Sequence, residues 1–236
     1  MITFMGVSCM SCITHQKRYI VVPPNGQVQQ QYYDSVVLLY LKPGPKGSSN
    51  YQATGFAITE DYLLTAGHFC TRLQNNRQKG INSKYMGMQG SDRHGNPYEA
   101  GDAIIVANHH KHDMCIIKSN GHGLTPLPLL GDLSFVETED KITTIGAPHG
   151  FFPVRRDGHV ISKDSSKQPQ LQMEQLLFIE VNIEPGSSGS PVIWNGQVIG
   201  IVVKLIYDNH LKDGALATRG DHVVEFVDKC IDRPAE

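Results

Sequence analysis

From residue 36 onward the chain alternates between short apolar runs and clusters of Gly, Pro, Asn, Asp and Ser. Val36–Leu41, Gly55–Ile58, Tyr62–Thr65, Ala103–Asn108 and Met114–Lys118 form a first series of such runs. Lys141–Gly146, Gly158–Ser162, Leu176–Ile183, Ser190–Ile193 and Val198–Leu205 form a second. Each has the length and β-branched content of a strand closed by turns. Many short strands with turn signals at fairly even spacing predict sandwiches or barrels. Between the two series, the stretch 119–131 carries Gly121, Gly123, Pro126, Pro128 and Gly131 and few apolar pairs, which marks a boundary. One segment changes period: over Asp221–Ile231, Val223, Val224, Phe226, Val227, Cys230 and Ile231 share one face at helical spacing and predict a helix. Ahead of the strands, Pro23-Pro24-Asn25-Gly26 and Gln29-Gln30-Gln31 favour extended or disordered chain. The organisation predicted is a leader over 1–31, a first β unit over 32–120, a linker over 121–134, a second β unit over 135–220, and a helix and tail over 221–236.

Composition adds exclusions. The 236 residues fit one large domain or two small barrels and suffice for a sizeable core. Hydrophobic content of 40% and charged content of 19% are ordinary for a globular protein. A net charge of −2 argues against broad nucleic-acid binding, which needs a basic face. The longest apolar run, Val36–Leu41, is far short of the roughly 20 residues that span a bilayer, so no membrane span is expected. The leader lacks a positively charged start and makes a poor signal peptide, although export stays open as the alternative to a cytoplasmic or host-cell cytoplasmic location. Cys9 and Cys12 form a Cys-x-x-Cys pair without the second pair that a zinc site calls for, so no cofactor or metal is expected there.

The stretch 184–192, Glu-Pro-Gly-Ser-Ser-Gly-Ser-Pro-Val, is where the chemistry concentrates. Glycines around a serine allow a tight turn whose N–H groups converge beside the hydroxyl, as an oxyanion site requires. A hydroxyl is a weak nucleophile at neutral pH; it needs a base, and the base an orienting group. Leu63-Leu64-Thr65-Ala66-Gly67-His68 offers a histidine after a strand, and His112-Asp113-Met114-Cys115-Ile116-Ile117 offers an aspartate opening one. The three lie 45 and 75 residues apart, so only the fold can bring them together. Ser187 and Ser190 are alternative nucleophiles, and Asp102, before Ala103-Ile104-Ile105-Val106, is the alternative acid. His109, His110 and His112 beside Asp113 invite a metal reading. An exposed polar loop is the plainer account, and no metal is expected.

Thr-Ala-Gly-His, Asp-x-x-Ile-Ile and Gly-x-Ser-Gly-Ser-Pro, in that order, resemble the chymotrypsin-like (trypsin-like) serine peptidases, the HtrA-like and viral or bacterial branches above all. Gly146-Ala147-Pro148-His149-Gly150 resembles the Gly-x-Pro-x-Gly turn of HtrA-like members. Gly196-Gln197-Val198-Ile199-Gly200 resembles the hairpin that follows their nucleophile. The resemblance covers about residues 33–232. It implies an all-β fold of two six-stranded antiparallel β-barrels with a C-terminal α-helix. It also implies a serine endopeptidase acting on protein or peptide substrates, without a cofactor. His68 would be the base, Asp113 its partner and Ser188 the nucleophile, with Gly186 and Ser188 N–H groups as the oxyanion hole. A peptidase-fold binding module without activity is the alternative function, and a homo-oligomer built through residues 1–31 is left open.

The resemblance also carries departures. An aspartate precedes the nucleophile in relatives switched on by cleavage; Ser187 stands there, so no such switch is expected. The primary specificity pocket would involve Asn182 and Ile183, with Val202, Val203, Lys204 and Leu205 on the facing strand. Without an aspartate at 182, basic residues are not favoured, and a small or aliphatic residue before the scissile bond is expected. Secreted relatives bond the cysteine after the catalytic histidine to one on the preceding strand; Gln52–Ala57 has none. Cys70, Cys115 and Cys230 are therefore read as small buried apolar residues in a reducing compartment.

Overall fold

A computed structural model describes residues 32–41, 51–78, 86–91, 96–119, 121–164, 176–208 and 211–231. Cys9, Cys12 and the 1–31 leader lie outside the described residues. Among the described residues, twelve strands form two closed antiparallel barrels. The first contains β1 (Val36–Leu41), β2 (Gln52–Ala57), β3 (Tyr62–Ala66), β4 (Met86–Ser91), β5 (Pro97–His109) and β6 (Met114–Lys118), closed in the order β1-β2-β3-β6-β5-β4. The second contains β7 (Lys141–Gly146), β8 (Val154–Ser162), β9 (Leu176–Glu180), β10 (Pro191–Trp194), β11 (Gln197–Asp208) and β12 (Leu211–Arg219), closed as β10-β11-β12-β9-β8-β7. Helix α1 (Gly67–Gln78) follows β3, and α2 (Gly220–Ile231) follows β12. The chain is thus the all-β double barrel with a terminal helix that the resemblance implied.

Three of four apolar clusters account for most of the apolar runs. Val37, Leu39, Leu63, Phe69, Met88, Cys115 and Ile117 fill the first barrel, and Ile142, Val160, Leu177, Ile179, Val192, Ile199 and Val202 fill the second. The third core lies between the barrels, where Val36, Phe56, Leu64, Met114 and Ile116 meet Ile145, Ile193, Val198 and Ile201. Side chains alternate faces along a strand, so β3 sends Leu63 inward and Leu64 outward, and β6 does the same with Ile117 and Ile116. Both faces of these strands are dry, which is why they read as continuous apolar runs. Val223 and Phe226 of α2 pack into the shared core.

The structure corrects the sequence reading in three places. β4 and β12 were not among the expected strands: Met86-Gly87-Met88-Gln89-Gly90 and Leu211-Lys212-Asp213-Gly214 break both alternation and apolar continuity. In β4 glycine leaves room for a neighbouring side chain, since a Cβ at Gly87 would overlap the Tyr40 ring. Helix α1 was also unexpected; only Phe69, Cys70 and Leu73 of its described residues are buried hydrophobics, too few to mark an apolar face. Finally, Cys70 has a partner after all: it forms a disulfide with Cys115. The cysteine expected on β2 is replaced by one on β6, brought to the start of α1 by the pairing of β3 with β6.

Candidate active site

Register places the first two candidate residues. Ala66 pairs with Met114 at the end of the β3–β6 ladder, so the chain beyond Ala66 and the chain before Met114 leave the sheet side by side. His68 sits one residue into α1 and Asp113 in the turn before β6. The approach is close: a Cβ on Gly67 would lie 2.8 Å from Met114 N and 3.0 Å from the Asp113 carbonyl carbon. Glycine is needed there for space. Asp113 takes a left-handed conformation at φ 51°, one that aspartate and asparagine tolerate better than most residues. The preceding residue is fixed from the other barrel, since Thr218 Oγ1 of β12 donates to the His112 carbonyl at 2.5 Å.

The carboxylate of Asp113 meets His68 twice. Oδ1 accepts from the His68 main-chain N–H at 2.5 Å, and Oδ2 lies 2.8 Å from ring Nδ1. An ionised carboxylate only accepts, so Nδ1 carries the proton and Nε2 keeps its lone pair. Asp102, the alternative acid, lies exposed on β5.

Ser188 comes from the second barrel, in the turn between β9 and β10. Along this turn, successive carbonyls are held in place. Pro185 O accepts from His149 N at 2.7 Å, Gly186 O from Thr54 Oγ1 at 3.0 Å, Ser187 O from Ser190 N at 3.0 Å and Ser188 O from Thr54 N at 2.8 Å. In a planar trans peptide the N–H points opposite to the C=O. Fixing the carbonyls of Pro185 and Ser187 therefore turns the Gly186 and Ser188 N–H groups to the other side of the turn. Gly186 and Gly189 sit at φ 102° and 89°, where a Cβ would strike the Ala147 and Thr54 carbonyls respectively. Ser187 is buried and donates its N–H to Glu184 O at 3.0 Å.

His68 and Ser188 line one cleft of about 440 Å³ with Tyr51, Gln52, His149, Pro185 and Gly186. Catalytic hydrogen bonds often tighten only once substrate is bound, so before that His68 and Ser188 need only face one cleft. His149 stands at its rim at φ 50°, with Nε2 3.8 Å from Glu184 Oε2. Of the residues expected at the specificity pocket, Asn182 and Lys204 are exposed, while Ile183, Val202 and Val203 are buried. Ile183 and Val202 belong to the core of the second barrel.

The histidines before Asp113 do something other than converge on a point. His112 stacks on His222 of α2 with ring centroids 4.2 Å apart, His109 tilts against His112 at 4.9 Å, and Phe226 meets His109 edge-on at 5.5 Å. His110 Nδ1 lies 3.2 Å from Thr71 Oγ1. Among the described residues no group of His, Cys, Asp and Glu is placed to hold a metal ion. Burial, helped by the neighbouring His222, His109 and Lys111, lowers the pKa of His112 against a small opposing pull from Glu225. The sequence reading missed His222, Thr218, Thr54 and His149. The only trace of Thr54 was a hydroxyl at a position where an apolar residue would suit the strand.

Comparison with known proteins agrees with this fold. A family model described as "Trypsin-like peptidase domain" matches residues 53–201. The fold is similar to that of the serine endoprotease from Yersinia pestis, at TM-score 0.65 and 17% identity over 89% of this chain and 68% of that one. It is likewise similar to Deg5, at TM-score 0.64 and 18% identity over 84% of this chain and 90% of that one. No curated protein sequence matches the chain. Among the described residues no helix is long and apolar enough to cross a membrane.

Proposed function

The chain belongs to the trypsin-like peptidase domain family and is a serine endopeptidase, and from that premise we propose that it cleaves through an acyl-enzyme formed on Ser188. His68 Nε2 takes the proton as Ser188 Oγ attacks the scissile carbonyl, and Asp113 holds the imidazole in the tautomer this needs and stabilises the imidazolium that forms. The N–H groups of Gly186 and Ser188 receive the negative charge that builds on the carbonyl oxygen. Collapse of the tetrahedral intermediate expels the amine, which collects the proton from His68. Water then enters by the same base-assisted route and releases the acyl group as a carboxylic acid, restoring Ser188.

The observation that carries this reading is the paired contact between Asp113 and His68 at the wall of a cleft that also exposes Ser188. The test is labelling with a fluorophosphonate and hydrolysis of denatured casein, each compared with Ser188→Ala. Labelling confined to Ser188, and a turnover loss on the order of 10⁴- to 10⁶-fold in the variant, support it. Persistent, chelator-sensitive cleavage by Ser188→Ala would overturn it. No labelling and no cleavage by the parent protein would favour a peptidase-fold binding module.

The proposal extends to specificity for a small or aliphatic residue before the scissile bond. Asn182 is exposed and uncharged, and Ile183 and Val202 are spent on the barrel core, which favours a shallow, uncharged site. A peptide-library profile dominated by Arg, Lys or Glu would contradict it.

A further inference from the structure

We infer that Thr54 is a positioning residue that sets the oxyanion turn from the opposite barrel; this rests on the acyl-enzyme reading above. Thr54 lies in the middle of β2, paired with Leu38 of β1, and is fully buried. Side chains alternate along β2, and its neighbour two places on, Phe56, enters the apolar core between the barrels. A threonine on that face puts a hydroxyl in dry surroundings, where it needs partners to be tolerated. It has two, both from the second barrel: Oγ1 donates to Gly186 O at 3.0 Å and accepts from Ala147 N at 3.0 Å.

The main chain of Thr54 is engaged as well. Its N–H donates to Ser188 O at 2.8 Å, and its carbonyl accepts from Thr65 Oγ1 at 2.7 Å. One residue of the first barrel therefore holds two of the four carbonyls that orient the nucleophile's turn. It does so while fastened through Thr65 to β3, three residues ahead of His68.

The need for such a hold follows from Gly186. At φ 102° it has no side chain to limit its rotation, so the Gly186–Ser187 peptide keeps its orientation through its hydrogen bonds, Ser187 N–H to Glu184 O within the turn and Thr54 Oγ1 to Gly186 O across the barrels. Among the described residues, the Thr54 hydroxyl is the one side-chain group that holds a turn carbonyl; the others are held by main-chain donors. That peptide lies between the two that carry the Gly186 and Ser188 N–H groups, so if it turns, the spacing of the two oxyanion donors is lost. Gly146 makes the arrangement possible by its lack of a side chain, since a Cβ there would come 3.1 Å from Thr54 Oγ1 and 3.5 Å from Ser187 Cα.

The experiment compares the parent protein with Thr54→Val, which keeps the branched shape without the hydroxyl, and Thr54→Ser, which keeps the hydroxyl. Turnover of denatured casein, the rate of fluorophosphonate labelling and inhibition by butylboronic acid, whose adduct is tetrahedral, are measured on each. Removing a single oxyanion donor costs about 10²- to 10³-fold in kcat, and displacing one should cost about 10- to 100-fold. Thr54→Val is expected to lose that much in kcat with KM within about twofold, and to weaken boronate inhibition in step. Thr54→Ser is expected to stay within about threefold of the parent in all three. Unchanged kcat in Thr54→Val, equal losses in both variants, or a loss confined to KM would overturn the inference. Should Thr54→Val fail to fold, Thr54→Cys, with its weak thiol donor, takes its place, and parent-like kcat there would overturn it. A parent protein that neither cleaves casein nor labels at Ser188 would instead refute the acyl-enzyme reading itself.

Discussion

Asp113 grips His68 at two points, the main-chain N–H at 2.5 Å and ring Nδ1 at 2.8 Å, with a separate carboxylate oxygen for each. The pair is thus fixed in direction as well as in distance. An amide at this position could serve only one of the two donors, because its other end is itself an N–H donor. Asp113→Asn suits the left-handed backbone equally well and so leaves the fold intact. It is expected to lower kcat by about 10⁴-fold by presenting the wrong histidine tautomer. Steady-state kinetics with a thermal melt check this, and a loss of activity traceable to unfolding would contradict it.

The disulfide joins the residues two places beyond the base and two places beyond its partner. Replacing both cysteines, as Cys70→Ala with Cys115→Ala, is expected to lower stability by about 2–4 kcal/mol, chiefly by freeing a long loop in the unfolded chain. At temperatures well below the melt, activity should persist, since the two hydrogen bonds to Asp113 do not pass through sulfur. Denaturant titration measures the first effect, and peptide mapping without reduction should recover the Cys70–Cys115 link.

Stability should fall on mild acidification. Burial lowers the pKa of both His112 and His122 below their ordinary 6.5. As pH drops past 6.5 the unfolded chain takes up these protons first, so the stability contributed by the neutral rings is complete above about pH 6.5 and is lost below it. His112→Phe retains a ring to stack on His222 but cannot titrate. Melting temperatures recorded from pH 7 to pH 5 should decline less steeply in that variant, and an unchanged slope would contradict the assignment.

Ser190 is fully buried, and its Oγ has no hydrogen-bond partner among the described residues. An unpaired buried hydroxyl is a cost, and its removal leaves nothing else unpaired. Ser190→Ala is expected to be neutral or to stabilise by about 1 kcal/mol, and to label with fluorophosphonate at the parent rate. Loss of labelling would move the nucleophile from Ser188 to Ser190.

The barrels were legible in the sequence wherever strands are dry on both faces, as in Val36–Leu41 and Met114–Lys118, because burial leaves an unbroken apolar run. They were illegible where packing demanded glycine. Gly87 in β4 makes room for the Tyr40 ring, and a Cβ at Gly214 in β12 would crowd the Phe178 ring at 3.2 Å. Helix α1 was hidden for another reason: its apolar contribution to the core is small, and the disulfide adds a hold that hydrophobic patterning cannot report. At the site, the motifs around His68, Asp113 and Ser188 were readable because each carries a local steric demand, such as the close approach at Gly67. Thr54, Thr218 and His222 were not, since each acts on a partner 106 or more residues away in sequence, or across the two barrels, and leaves no local trace.

Helix α2 is the last described element, and Val223 and Phe226 seal the core that both barrels share. Translation delivers the base first, then the acid, then the nucleophile, and the seal after all three. A nascent chain therefore holds every reactive group before it holds the joint that aligns them. The order of synthesis works as a safety catch: the three reactive groups come first along the chain, and the element that seals their alignment comes after them.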